Sequence, residues 1–530
     1  MRNKSLFLIP CVFTMALGAG VMSACGGGSE YTKDGKLKLT LRNLYFSDYN
    51  GGDEYMKELE EKFKVSIKTS NYSWSQWDEQ VTGSVEGDNL TDVFHANVDS
   101  YNFASTYKYW AEEGMIKALP DDLSQYPNLK EMIDNTTNID ALKINGHLYG
   151  IPIAKNTTDF STTYSPFTYV YRRDWAKEWG VYKENDEYTW EEFTTLLETF
   201  KNNGKSSNRF ALGDVEWGFP SITNFYKQVP HCFAQDETGK YVNNYTTDAY
   251  IEGLEMSKTF KNNGWYGYPQ YSAQDGDLNK EFYGNRCGVL YENLSYSNYV
   301  TLRINLEKAN ALNKNFKVDE AVGIMKIKGP DGKYALEGTD NWFSMSFISH
   351  NVSKDKMNKL LEIFDWLLSE EGTRFSVYGI EGYDYYFDEE TGELKLVEEN
   401  WQEVDGRIPD KGNGAKYLRF MVSLGYDTYD YDPVTDKTAL NILNTWDAEM
   451  KDALDKGELK VLKENAEVMW LTTPQKSKHS GELRTKALQN VSKYIYNKDI
   501  TTIDSFKKSV TNSTWEAVLK EINSALGKTL

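Results

Sequence analysis

The fold class turns on residues 36–67, which begin Lys36-Leu37-Lys38-Leu39-Thr40-Leu41. Leu37, Leu39 and Leu41 alternate with Lys36, Lys38 and Thr40, the period-2 pattern of a strand with one buried face. A loop over Ser47–Gly52 follows. Tyr55, Met56, Leu59 and Phe63 then form one stripe at helical spacing over about 53–64, and Val65-Ser66-Ile67 reads as a second strand. Strand, helix, strand in that order predicts an α/β fold with mostly parallel sheets. Further along, Thr189-Trp190-Glu191-Glu192 reads as a capping box before the apolar face Phe193, Leu196, Leu197 and Phe200, and Asn202-Asn203-Gly204 ends that helix. Met357, Leu360, Leu361, Phe364, Leu367 and Leu368 mark another helix, closed by Glu371-Gly372. Ser513-Thr514-Trp515-Glu516 opens the last one.

The chain has 530 residues, too many for one core, so at least two folded units are expected. Its net charge of -20 argues against a phosphate backbone as partner, hence against nucleic acid, and against an anionic ligand. Aromatic residues make up 14%, and Tyr alone numbers 37, more than cores usually need; some of them should line a binding surface. Of the 4 Cys, Cys11 and Cys25 lie near the N-terminus, and Cys232 and Cys287 are expected as two free, partly buried thiols.

The N-terminus reads as an address. Arg2 and Lys4 precede an apolar run from Leu6 to Leu17, and Met22-Ser23-Ala24-Cys25 fits a bacterial lipobox, with Met22 where Leu is usual. Residues 1–24 are therefore expected to be a lipoprotein signal peptide, and residues 25–36 a lipidated Cys25 with a flexible Gly26-Gly27-Gly28-Ser29 tether. That anchors the chain to the outer face of the cell membrane.

Catalytic signatures are missing. The sequence holds no HExxH, CxxC, GxSxG or GxGxxG, and its 5 His are scattered. Gly204-Lys205-Ser206 and Gly527-Lys528-Thr529 resemble the tail of a P-loop but lack its upstream Gly. The acidic stretch Asn185–Glu192 lacks the oxygen spacing of a calcium loop, and no cofactor or metal is expected.

Several segments resemble the family 1 extracellular solute-binding proteins of ABC importers, especially their large Gram-positive lipoprotein branch. They are Gly114-Met115-Ile116 with Leu119-Pro120 and Leu123, then Tyr126-Pro127-Asn128-Leu129, then Asn145-Gly146-His147-Leu148-Tyr149-Gly150-Ile151-Pro152. Tyr171-Arg172-Arg173-Asp174-Trp175 with Thr189–Phe193, Phe282–Val289 and Gly379-Ile380-Glu381-Gly382-Tyr383-Asp384-Tyr385 complete the series. Gly288 and Val289 depart from the small residue and Met usual there. The resemblance implies a two-lobe periplasmic-binding-protein-like fold of type II, with a hinge and a ligand cleft between lobes. It places the first lobe at 37–152 plus 325–380 and the second at 153–324 plus 381–530. It further implies a monomer that delivers its ligand to the membrane permeases of an ABC importer and is not an enzyme.

Sugar rings offer apolar faces to Trp and Tyr and hydroxyls to Asp, Asn, Glu and Arg. Aromatic residues beside such polar ones, at strand ends, are thus the candidate oligosaccharide contacts: Trp74, Trp77, Asn97, Trp217, Trp265, Asn293, Asp340 and Trp342. Trp175, Trp190 and Trp366 sit at helical spacing and are read as core. A peptide or other small organic solute in the same fold, a cell-surface glycosidase, and an adhesin remain the alternatives.

Overall fold

A computed structural model describes residues 29–49, 52–97, 103–158, 161, 164–203, 211–213, 222, 232–266, 277–309, 312, 315–401, 412–463 and 465–528. The signal peptide, Cys25 and Trp217 lie outside the described residues.

The opening stretch folds as its pattern dictates. Leu37–Asn43 is a strand with Leu37, Leu39 and Leu41 buried. Glu54–Phe63 is a helix that buries Tyr55, Met56, Leu59 and Phe63, and the Asp53 side chain caps it by accepting from the Met56 N–H at 2.7 Å. Each such apolar side chain contributes about 1.5–3 kcal/mol on leaving water. Val65–Asn71 then pairs parallel to Leu37–Asn43.

Two five-stranded sheets result. The first runs, edge to edge, Val65–Asn71, Leu37–Asn43, Val93–Ala96, Trp342–Ile348, Gly150–Ala154; the second runs Glu187–Tyr188, Val322–Ile327, Phe167–Arg172, Val289–Asn293, Leu212–Gly213. They are mixed rather than mostly parallel. Trp342–Ile348 and Phe167–Arg172 each run against both neighbours. Each starts where the chain enters a new lobe, at the end of the sheet where the neighbouring strands finish.

The expected lobe boundaries shift accordingly. Val322–Ile327 pairs in the second sheet, and Tyr334 and Leu336 pack in the second core, so residue 325 does not begin lobe 1. Ala415, Leu418, Met421 and Val422 pack in the first core, although residues beyond 380 were assigned to lobe 2. The chain therefore crosses between lobes near 155–166, 338–341 and 423–436. A separate helical core unites Tyr245, Tyr250 and Leu254 with Val468, Val491, Phe506 and Trp515. Trp470 reaches from that side to the first lobe, its ring 6.0 Å from Trp342.

Start and stop signals fare unevenly. The Thr189 box forms, with the Thr189 N–H donating to Glu192 Oε2 at 3.0 Å and the Glu192 N–H to Thr189 Oγ1 at 3.3 Å. The last helix is capped instead by Asn512, one residue before the expected box, because its side chain accepts from both Thr514 and Trp515 N–H groups. The helix Lys354–Leu368 stops at Ser369, which also caps the next helix, Glu370–Tyr378. Gly372 lies inside that second helix, where a Cβ would stand 1.9 Å from the Trp366 carbonyl oxygen. Cys232 and Cys287 are both free and buried, as expected.

The Gly379–Tyr385 motif is structural. Gly379 takes φ +92°, and a Cβ there would lie 2.2 Å from Asp384 Oδ2. Asp384 is buried and accepts from the Ile380 N–H at 2.9 Å and the Tyr55 hydroxyl at 3.2 Å. Gly379→Ala should cost more than the roughly 1–2 kcal/mol set by the left-handed backbone alone. Urea unfolding with an unchanged slope checks this; a midpoint equal to wild type would mean the turn relaxes freely.

Candidate ligand cleft

Strand ends from both sheets meet at the crossings, the usual place for ligands in α/β folds. Leu37–Asn43 leads to Tyr45, Val65–Asn71 leads to Trp74 and Trp77, and Val93–Ala96 carries His95. Trp342–Ile348 contributes Phe343. These rings interlock: Tyr45 lies 5.9 Å from Trp74 and 6.2 Å from His95, Trp77 lies 4.6 Å from His95, and Trp77 lies 6.2 Å from Phe343.

The third crossing continues the aromatic surface. Phe420 sits 4.6 Å from Tyr45. Tyr426 and Tyr429 stack at 6.0 Å and 22°. Tyr429 then meets Tyr296 of the second lobe at 4.5 Å, at the start of the helix that follows Val289–Asn293. An aromatic band thus runs from lobe 1, over a crossing, to lobe 2.

Tyr426 is 38% exposed, and desolvation pushes its hydroxyl up to about 12. Burial raises the Tyr45 and Tyr429 hydroxyls too, with Tyr426 adding to both shifts. All three phenols stay protonated at neutral pH. None has a hydrogen-bond partner among the described residues, so each can donate and accept toward a ligand. Burial holds His95 down to about 3, a neutral ring. Among the described residues no group of His, Cys, Asp and Glu could hold a metal ion.

A profile of the bacterial extracellular solute-binding protein family matches residues 54–367, more than half of the chain. The chain belongs to that family. The solute-binding protein also shares its fold with crystal structures of sugar-binding proteins. The alginate-binding protein AlgQ2 without calcium ion superposes with a TM-score of 0.64 at 16% identity, covering 94% of this chain and 99% of that one. A human-milk-oligosaccharide (HMO) binding ABC-transporter associated solute-binding protein from Bifidobacterium longum infantis gives 0.63 at 14% identity, covering 93% and 98%. The N-glycan transport solute-binding protein NgtS from Streptococcus pneumoniae gives 0.59 at 16% identity, again covering 93% and 98%. No curated protein matches in sequence. The family is one of solute-binding proteins, and the Bifidobacterium neighbour is described as ABC-transporter associated. Among the described residues no helix is long and apolar enough to cross a membrane.

The residues singled out from sequence fall in different places in this solute-binding protein. Trp74 is 56% exposed, edge-on to Tyr45 and Trp77. Trp77 lies behind it, buried, its indole N–H donating to the His95 carbonyl at 3.1 Å. Asn97 is at the same edge and hydrogen-bonds Asp78, partly offsetting the rise that burial gives that carboxyl. Asn293 ends its strand at the cleft, but its side-chain oxygen accepts from the Ser295 N–H at 3.0 Å. Three others are engaged elsewhere. Trp265 is in the second-lobe core, donating to Glu198 at 2.8 Å. Trp342 is buried and donates to the Thr137 carbonyl at 3.1 Å. Asp340 locks the second crossing, accepting from Thr137, Asn138 and Lys463 within 2.8 Å.

Tyr45, Phe420, Tyr426, Tyr429 and Tyr296 were not singled out from sequence. The signal existed in Tyr426-Asp427-Thr428-Tyr429-Asp430-Tyr431, a run of aromatic and polar residues between helices.

Proposed function

We propose that this protein captures an uncharged oligosaccharide between its lobes and hands it to the membrane permeases of an ABC importer, tethered outside the cell through lipidated Cys25. The observation that carries this reading is the aromatic band Tyr45–Tyr426–Tyr429–Tyr296, which joins both lobes and has three phenol hydroxyls with no hydrogen-bond partner among the described residues. Aromatic faces suit the C–H faces of sugar rings, and neutral hydroxyls suit sugar hydroxyls. Solved proteins of this fold bind alginate, N-glycans and human milk oligosaccharides, which agrees with a glycan cargo. Trp74 would stack on the ligand from lobe 1, with Asn97 and Asn293 at the rim. Closure of the lobes would bring Tyr296 onto a ligand first held by Tyr45 and Trp74, and would exclude water.

The test is a thermal-shift screen against fructans, N-glycans, milk and plant oligosaccharides, with amino acids and peptides as controls. A ligand at a hundred times its Kd adds about 2.7 kcal/mol and raises the midpoint. One glycan class should do so and be recovered intact. A shift with peptides alone would overturn the choice of ligand, and new reducing ends would reveal a glycosidase.

A further inference from the structure

The first and third crossings run side by side. The Ala154 N–H donates to the Val422 carbonyl at 3.0 Å, the Leu424 N–H to the Ala154 carbonyl at 2.8 Å, and the Tyr426 N–H to the Lys155 carbonyl at 2.9 Å. There the backbone pairing stops and a side chain takes over. A single oxygen of Asp427, Oδ2, accepts from the Thr157 N–H at 2.7 Å, Thr157 Oγ1 at 3.0 Å, the Thr158 N–H at 2.8 Å and Thr158 Oγ1 at 2.9 Å. Hydrogen bonds to an ionised carboxylate are about twice as strong as neutral ones. Arg419 supplies the opposite charge. It is buried, fixed to the Leu367 carbonyl at 3.2 Å, and its Nη2 donates to Thr157 Oγ1 at 3.4 Å. The relay runs from the first-lobe core, through one crossing, to the other.

Asp427 lies in the turn Tyr426–Thr428, immediately after Tyr426 and two residues before Tyr429. The two stacked rings of the cleft floor therefore flank the residue that bolts this turn to its neighbour. We infer that Asp427 is a positioning residue: by holding Thr157 and Thr158 it sets where the Tyr426–Tyr429 pair stands between the lobes, and so governs ligand affinity without touching ligand. The inference rests on the cleft reading above. Its second consequence is mechanical. With donors on one crossing and the acceptor on the other, the two strands bend together, and the pair of rings keeps its height as the lobes close.

The experiment uses the full chain carrying Asp427→Ala or Asp427→Asn. Asp430→Asn is the control, just after the same turn, where the side chain accepts from the Asn444 amide at 3.2 Å rather than from the neighbouring crossing. Two quantities are read: the near-ultraviolet circular dichroism of tyrosine without ligand, and the Kd for the glycan of the panel that shifts wild type most. Asp427→Ala should lose tyrosine dichroism and bind roughly tenfold more weakly. Asp427→Asn, which keeps one acceptor oxygen, should fall between, and Asp430→Asn should match wild type. An Asp427→Ala protein with wild-type dichroism, or with altered dichroism and wild-type Kd, overturns the assignment. If wild type binds no glycan, the sugar reading fails on its own, and the dichroism alone decides the role of Asp427. If Asp427→Ala does not fold, Asp427→Asn and Thr157→Val carry the same comparison.

Discussion

Asp174→Ala should lower the stability of the second lobe by about 3–5 kcal/mol, the usual consequence of stripping the partner from a buried charge. Arg172 and Asp174 are both fully buried. The guanidinium donates to the carboxylate twice, from Nε at 2.8 Å and Nη2 at 2.6 Å. It also lies 4.6 Å from the centre of the Trp175 ring, and Asp174 Oδ1 accepts from the Trp175 N–H at 3.0 Å. Alanine takes that counter-charge from a buried guanidinium that stacks on Trp175 and donates through Nη1 to Asn285 Oδ1. Removing both charges, with Arg172→Met and Asp174→Ala together, should recover much of the loss, because the desolvation of the cation disappears with it. Chemical unfolding of the three variants measures this. A single variant within about 1 kcal/mol of wild type, or a double variant no better than the single, would contradict the account. Arg173 offers a contrast: its ion pair with Asp186 keeps some exposure on both sides, so its loss should cost less.

The same pair shows what a sequence can and cannot disclose. Tyr171-Arg172-Arg173-Asp174-Trp175 was visible as a motif, but nothing in it separates a ligand-binding Arg from one buried against its own neighbour two residues on. Local patterns were legible where local physics decides. The leucine alternation gave the Leu37–Asn43 strand, and the Thr189 box formed because both partners lie within four residues. Prediction failed where a distant residue decides. Trp265 and Trp342 sat beside polar residues and looked like ligand contacts, yet Glu198 and Thr137 satisfy their indole N–H groups from far along the chain. Asp340 likewise spends its carboxylate on Thr137, Asn138 and Lys463. The lobe boundaries were hidden for the same reason. Val322–Ile327 and Trp342–Ile348 are both apolar strands, and only their pairing tells which sheet each joins. The cleft itself is assembled from five separate segments, so Tyr45 and Tyr429 are neighbours only once three crossings have folded.

Acid should destabilise the protein through His95. Its ring is fully buried among Trp77, Tyr45 and Phe343; Nε2 is paired with Ser344 and Nδ1 has no partner among the described residues. Burial alone holds the folded-state pKa at about 3, against about 6.5 in the unfolded chain. Between those values the unfolded state carries the extra proton, so stability rises with pH across the window and is lost as pH falls through it. At pH 5 the loss is about 2 kcal/mol, and over the whole window about 5 kcal/mol, from this one ring. Carboxylates titrate in the same range, so the quantity to measure is the difference between wild type and His95→Gln in urea unfolding at pH 7 and pH 5. That variant should lose clearly less stability on acidification; parallel losses would mean that the ring finds a partner for its proton. Since the folded ring stays neutral down to about pH 3, glycan affinity should hold steady between pH 7 and pH 5 in wild type and in His95→Gln alike.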